Sequence, residues 1–153
     1  MNQPASLPLV ASLLDAALPA SGLGWLDAAR RENRAAFAAG GLPDTGVEAW
    51  KDTALRGLAQ RSFGSGDAAA QTRAVDASTL ALPGVAGVRL VFVNGAFRAD
   101  LSSLDELPAG LSLQPLSQAL LGDAEPLRFA LSRHYRDVGD AFAQINAASA
   151  RDG

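Results

Sequence analysis

The chain has 153 residues, 48% hydrophobic and 19% charged, a composition that suits one folded domain with a core and argues against wholesale disorder. Thirteen basic and 16 acidic residues give a net charge of −3, so no nucleic-acid partner is expected. The chain has no cysteine, which excludes disulfides and thiolate metal sites. It also has no apolar run of membrane-spanning length and no signal-peptide pattern, so a cytoplasmic protein with no membrane partner is expected.

The chain opens with an apolar, alanine-rich segment at residues 7–18 that has leucines at helical spacing and is followed by Pro19. We interpret residues 1–22 as an N-terminal helical arm. A helix packed against the rest of the protein is the preferred interpretation, and a partner-binding amphipathic arm is the alternative. An α+β domain is predicted to follow over residues 23–150.

This domain should begin with a helix at residues 26–39 that ends at a Gly-Gly pair, since Gly41 can adopt a positive φ. The predicted polar face of the helix carries Arg30, Arg31, Glu32 and Arg34. Further along, Thr45 and Glu48 fit a capping box that would start a short helix carrying Trp50. Residues 64–76 contain no periodic apolar residue and predict a mobile linker inside the domain.

The strongest local signal is a β-hairpin. Residues 88–93 are rich in β-formers, Asn94-Gly95 is the pair preferred in type I′ turns, and a second strand is predicted at residues 96–101. The two-residue loop sets Phe92 opposite Phe97 and Arg89 opposite Asp100. In this register one face is wholly apolar and consists of Val88, Leu90, Phe92, Phe97, Ala99 and Leu101.

After the hairpin, alternation at residues 111–113 could add a third strand. Helices are then predicted over residues 115–121, 126–134 and 139–148. No βαβ repeat is visible. The sequence therefore predicts a small α+β domain of helices with a two- to three-stranded antiparallel hairpin sheet.

No motif indicates catalysis. The segments Gly22-Leu23-Gly24 and Gly64-Ser65-Gly66 lack the spacing of phosphate-binding loops. A metal or hydrolase site using His134 with Asp137 or Asp140 is conceivable, but a half-exposed histidine at a helix end is the preferred interpretation. We therefore predict no catalytic, cofactor-binding or metal-binding residues in this chain.

Aromatic residues supply the candidate structural or interface positions, which are Trp25, Trp50, Phe92 and Phe97. Core packing is the leading explanation for the two tryptophans, because large aromatic side chains dominate core energetics. The alternative is an exposed anchor at an interface, a role in which tryptophan is enriched.

Three segments, in order, resemble the SufD family, to which the SufB proteins are related. Residues 41–55 are similar to the family's "GLP … E-x-W-K-x-T-x-L" stretch. Residues 90–102 are similar to its "VFVNGxF … LS" hairpin, and residues 140–153 to the "DAFAxLNxAxxxDG" helix that leads into its main body.

This resemblance implies the amino-terminal, non-catalytic domain of a SufD-like component of the SufBCD scaffold complex for iron–sulfur cluster assembly. It implies SufB-like subunits and SufC-like ATPase subunits as partners, which are bound by the full-length protein. The family's right-handed β-helix should begin at about residues 151–153, so the chain is expected to be truncated before that body and to bind no cofactor. The alternative is a free-standing α+β protein-interaction or adaptor domain.

Overall fold

The structure is a computed structural model, which describes residues 7–64, 74–80, 83–84, 87–104, 107–136 and 138–151. Most of the predicted linker at 64–76, and all but the first residue of the predicted β-helix start at 151–153, lie outside these described residues. The chain divides into two compact units, one drawn from Met1–Ser65 and Asp123–Ala150 and the other from Gly66–Gly122 and Arg151–Gly153. The division into an arm at 1–22 and a domain at 23–150 stays a prediction.

Helices and one small antiparallel sheet make up the described structure, which confirms the predicted α+β class. The helices are α1 (Pro8–Asp15), α2 (Gly24–Gly40), α3 (Arg56–Ala59), α4 (Leu116–Ala119), α5 (Glu125–Tyr135) and α6 (Ala141–Ser149). The strands are β1 (Phe92–Val93) and β2 (Ala96–Phe97), and single 3-10 turns lie at Glu48–Trp50, Ala77–Leu80 and Ala99–Leu101. No helix in the described part of the chain is long and apolar enough to cross a membrane.

The first unit is organised around α2, which packs against α1, α5 and α6. Its core joins Val10, Phe37 and Ile145, one residue from each of α1, α2 and α6. Val10 and Phe37 are completely buried, and Leu9 of α1 is also buried. Because α1 contributes two buried side chains, it is an integral part of this unit.

The end of α2 matches the prediction, whereas the capping box does not form. Gly41 has a φ of 67°, and its N–H donates to the Phe37 carbonyl over 2.7 Å. In the next turn, the Asp44 carboxylate accepts from the Gly46 N–H at 2.8 Å, and no side chain caps the turn at Glu48–Trp50. The predicted cap was wrong because the Asp44 carboxylate accepts the backbone N–H of Gly46 and sets the turn at this point. Glu48 forms an ion pair with Lys51 instead of closing the box.

In the second unit the predicted hairpin turn is confirmed. Phe92 pairs with Phe97 and Val93 with Ala96 in an antiparallel ladder. Asn94 and Gly95 have φ values of 49° and 80°, the positive values that a type I′ turn requires at both central positions.

Beyond Phe97 the predicted register was wrong. Arg89 pairs with Ser103, three residues beyond the expected Asp100, because Ala99–Leu101 forms a 3-10 turn. Asp100 instead binds Arg98 at 2.6 Å, and the Ser102 hydroxyl accepts from the Val91 N–H and donates to the Arg98 carbonyl. The apolar face predicted along residues 88–101 therefore does not continue past Phe97, where the 3-10 turn replaces the strand.

The observed register accounts for which apolar side chains of the hairpin are buried. Val91 and Leu101 are buried, whereas Phe92 is 38% exposed.

Residues 111–113, within the described range, join no strand, and Leu111 is 63% exposed. The sheet has two strands, the lower of the two predicted numbers.

Candidate interaction groove

A groove of about 370 Å³ lies on the first unit, at the C-terminal end of α2. One wall is the last turn of α2, the second is the segment from Gly41 to Trp50, and the third is the start of α6. Its lining includes Gly40, Pro43, Val47, Trp50, Asp140 and Gln144. Segments far apart in the sequence therefore form one concave surface.

An aromatic pair supports the groove. The Trp50 ring lies 5.3 Å from the Phe142 ring, at an interplanar angle of 32°. Such tilted pairs contribute about 0.5–1.5 kcal/mol beyond the area they bury. Trp50, one of the candidate interface residues, is half-buried, so its ring packs against α6 while part of it faces the groove.

The start of α6 is fixed by side chains that also line the groove. The Asp140 carboxylate accepts from the N–H groups of Phe142 and Ala143, at 2.9 and 3.0 Å. The Gln144 amide donates to the Val138 carbonyl at 2.7 Å. Sequence analysis missed this cap, although an aspartate directly before a helical run is the usual signal for one.

Two of the segments that line the groove carry more negative than positive charge. Segments 40–52 and 139–144 carry four exposed carboxylates and one exposed ammonium, which are Asp44, Glu48, Asp52, Asp140 and Lys51. Lys51 and Glu48 pair at 2.7 Å on the surface. The C-terminal end of α2 adds the negative pole of a helix dipole. The electrostatics therefore favour a cationic group in or beside the groove.

Two of the residues that line the groove, Gly40 and Gly139, are glycines outside the left-handed region. At Gly40 and at Gly139, an added Cβ would find no heavy atom within 4 Å. A side chain at either position would therefore meet open space without backbone strain.

Arg30 and Asn33 of α2 are buried polar residues that sequence analysis missed. Arg30 was predicted on the exposed face of α2, but it is only 3% exposed. Its guanidinium donates to the carbonyls of Pro19 and Ala150, at 2.7 and 2.8 Å. The prediction was wrong because two backbone carbonyls, one in the segment before α2 and one at the end of α6, accept from the guanidinium and so draw Arg30 into the interior.

The other polar residues of α2 differ in burial. Asn33 donates to the Ala29 and Tyr135 carbonyls, at 2.9 and 3.0 Å, and thereby binds the end of α5. Arg31 and Glu32 are exposed, as predicted. Arg34 is half-buried, with one hydrogen bond of 3.3 Å to the Ala16 carbonyl. Each buried donor therefore connects α2 to the end of another segment.

Asp27 and Tyr135, two ionisable groups close to Arg30, have shifted pKa values. The Ser21 N–H and hydroxyl donate to the Asp27 carboxylate at 3.0 and 2.8 Å, and these hydrogen bonds lower the pKa of Asp27. Burial raises the pKa of the Tyr135 phenol, and the nearby Arg30 charge opposes that rise. Neither group lines the groove.

The remaining candidate aromatic residues lie elsewhere. Trp25 is half-buried in the first turn of α2. Phe92 and Phe97 contact each other in the hairpin, with ring centroids 5.7 Å apart and planes at 58°. Phe97 is half-buried and Phe92 exposed. An interface role for these residues stays a prediction.

The conceivable His134 site is only partly covered by the described residues. His134 is exposed near the end of α5, Asp140 caps α6, and Asp137 lies outside the described residues. Within the described ranges, no three or more His, Cys, Asp or Glu residues are grouped so that they could hold a metal ion. In the groove itself, Asp140 and Gln144 already hold backbone partners, so what the groove offers is shape and charge for binding.

Comparison with known proteins adds one finding. The family model described as the SufBD protein N-terminal region matches residues 15–153. No curated protein and no solved structure matches the chain. The matched range includes every residue named here as lining the groove.

Proposed function

Because the chain belongs to the SufB/SufD family, through the N-terminal region of those proteins, we propose that it is the amino-terminal, non-catalytic domain of a SufD-like component of the SufBCD scaffold. That complex assembles iron–sulfur clusters. The match over residues 15–153 carries the proposal. The choice of SufD over SufB rests on the wording of the three motif segments.

The structure supports the proposal at one point. The first SufD-like segment, residues 41–55, supplies one wall of the groove, and the third, residues 140–153, supplies another. Trp50 from the first contacts Phe142 from the third. Motif residues that are distant in sequence thus pack together in one region, as expected if the motifs preserve a common fold.

The proposal assigns cluster chemistry to other parts of the complex. Iron–sulfur clusters are held mainly by cysteine thiolates, and this chain has none. On this proposal the domain works in the cytoplasm without a cofactor of its own, beside SufB-like subunits and SufC-like ATPase subunits. Its contribution is contact within the scaffold rather than catalysis.

Co-purification tests this function. The complete gene product, tagged and isolated anaerobically from its source, is expected to carry both a SufB-type and a SufC-type subunit, identified by mass spectrometry. A matched variant without residues 15–150 is expected to recover less complex or less cluster, measured as iron and acid-labile sulfide. Isolation of the complete product with neither subunit would refute the proposal.

The gene sequence distinguishes a SufD-like protein from the alternative, a free-standing adaptor domain. A reading frame that continues into β-rich repeats is expected for a SufD-like protein. A frame that ends at Gly153 would favour the free-standing adaptor domain.

A further inference from the structure

Shape gives the first indication of what the groove binds. Its volume of about 370 Å³ is at the lower end for ligand pockets, enough for one or two side chains. Val47 is 47% exposed at its edge, and Trp50, Pro43 and Ala49 extend the apolar lining. An apolar side chain inserted here would cover surface that is otherwise in contact with water.

Charge gives the second indication. The surrounding segments carry Asp44, Glu48, Asp52 and Asp140 against Lys51 alone. The last carbonyls of α2 point out of the helix end, where lysine and arginine side chains are favourable partners. Phosphates and nucleic acids are disfavoured by this potential, whereas a cationic polypeptide is attracted by it.

We propose that the groove is a docking site for a segment of a partner protein that inserts an apolar side chain flanked by lysine or arginine. The apolar side chain fills the space above Gly40 and Gly139, beside Trp50. The flanking cations lie near the carboxylates of the lining segments, Asp44, Glu48, Asp52 and Asp140, and near the end of α2. This site follows from geometry and charge alone, so its failure would leave the proposed SufD-like function standing.

Two short peptides test the proposal directly on the chain. The probes are acetyl-Gly-Arg-Leu-Arg-Gly-amide and its counterpart with glutamate in place of arginine, titrated while amide resonances are recorded by NMR. The arginine peptide is expected to shift the Gly40, Val47 and Gly139 amides, more weakly as salt rises from about 50 to 200 mM. The glutamate peptide is expected to shift none of them.

A matched pair of variants locates the binding. Gly40→Leu adds a side chain at a residue that lines the groove. Gly57→Leu is the control, since Gly57 is an exposed helical glycine of α3 away from the groove, and a Cβ at either position has no atom within 4 Å. Gly40→Leu is expected to raise the dissociation constant of the arginine peptide by about tenfold or more, and Gly57→Leu to leave it unchanged.

Three outcomes would overturn the docking proposal. The first is an arginine peptide that leaves all three amides unshifted at about 10 mM, a concentration that reveals millimolar affinity. The second is an equal response to the glutamate peptide. The third is concentration-dependent broadening of the same amides without peptide, removed by Gly40→Leu, which would assign the groove to self-association.

Discussion

Arg30 donates a hydrogen bond of 2.8 Å to the carbonyl of Ala150, a residue 120 positions further along the chain. The same guanidinium holds the Pro19 carbonyl at 2.7 Å. One buried side chain of α2 therefore connects the segment that precedes α2 with the end of α6. It satisfies the carbonyls of two half-buried residues.

Loss of this connection should be costly. Arg30→Met keeps most of the volume but leaves two carbonyls without their donor, and we expect the free energy of unfolding to fall by about 3 kcal/mol. Arg30→Lys should show a smaller loss of unfolding free energy than Arg30→Met, because an ammonium is still a hydrogen-bond donor. It should not restore the parent stability, because an ammonium lacks the fork that reaches both carbonyls. Urea denaturation measures both, and an Arg30→Met variant as stable as the parent would contradict the interpretation.

The turn after α2 provides a second prediction. Gly41 has φ 67° and ψ −158°, a conformation that is almost restricted to glycine. Gly41→Ala should lower the free energy of unfolding by about 1–3 kcal/mol. The neighbouring Gly40→Ala is the matched control, and it should raise stability by up to about 1 kcal/mol because its Cβ meets open space in a helix. Thermal denaturation of the two variants should give shifts of opposite sign.

Capping of α6 provides a third. Asp140→Ala removes the acceptor of the Phe142 and Ala143 N–H groups, and we expect a loss of about 1 kcal/mol in the free energy of unfolding. Asp140→Asn retains an acceptor oxygen and should stay within a few tenths of the parent. Equal effects of the two substitutions in urea denaturation would show that the carboxylate charge, rather than the cap, is the source of stability.

Acid should weaken the Ser21–Asp27 contact. The pKa of Asp27 is lowered from 3.8 by hydrogen bonds from the Ser21 backbone and side chain. A lowered folded-state pKa means that this contribution is present above the unfolded-state pKa and is lost as pH falls through the folded-state value. Parent and Asp27→Asn should therefore differ most near neutral pH and converge as pH falls through the lowered folded-state pKa of Asp27. Ser21→Ala should reduce the difference, and curves that stay parallel would rule out the linkage.

Ser102 should control the 3-10 turn in the hairpin. Its hydroxyl accepts from the Val91 N–H at 2.9 Å and donates to the Arg98 carbonyl at 2.7 Å. Ser102→Ala should cost about 1–2 kcal/mol and accelerate hydrogen exchange of the Val91 amide. Ser103→Ala is the control, since Ser103 pairs with Arg89 through its backbone alone. Unchanged exchange at Val91 in Ser102→Ala would count against this assignment.

Local chemistry made the hairpin turn predictable and also limited the prediction. Asn94-Gly95 determines its own conformation, so the pairs next to it followed from sequence. The register further out depends on Ser102 bridging two backbone groups and on the Arg98–Asp100 pair, and alternation of apolar residues carries no sign of either.

The buried arginine and the groove were hidden for a different reason. Helical periodicity assigns Arg30 to a polar face, and only the position of Ala150 in space explains its burial. Trp50 was recognisable as a candidate, but its partner Phe142 lies in a distant segment. Contacts between remote segments depend on tertiary packing, which a single sequence does not display.

The separation between contacting segments affects how the protein is made. Asn33 meets Tyr135 across 102 residues, and Ile145 completes the core that Val10 and Phe37 begin. At elongation rates of about 5–20 residues per second, α2 is synthesised roughly 5–20 seconds before α6. Throughout that interval the core that α1 and α2 share lacks Ile145, so this unit completes its folding only after α6 has been synthesised.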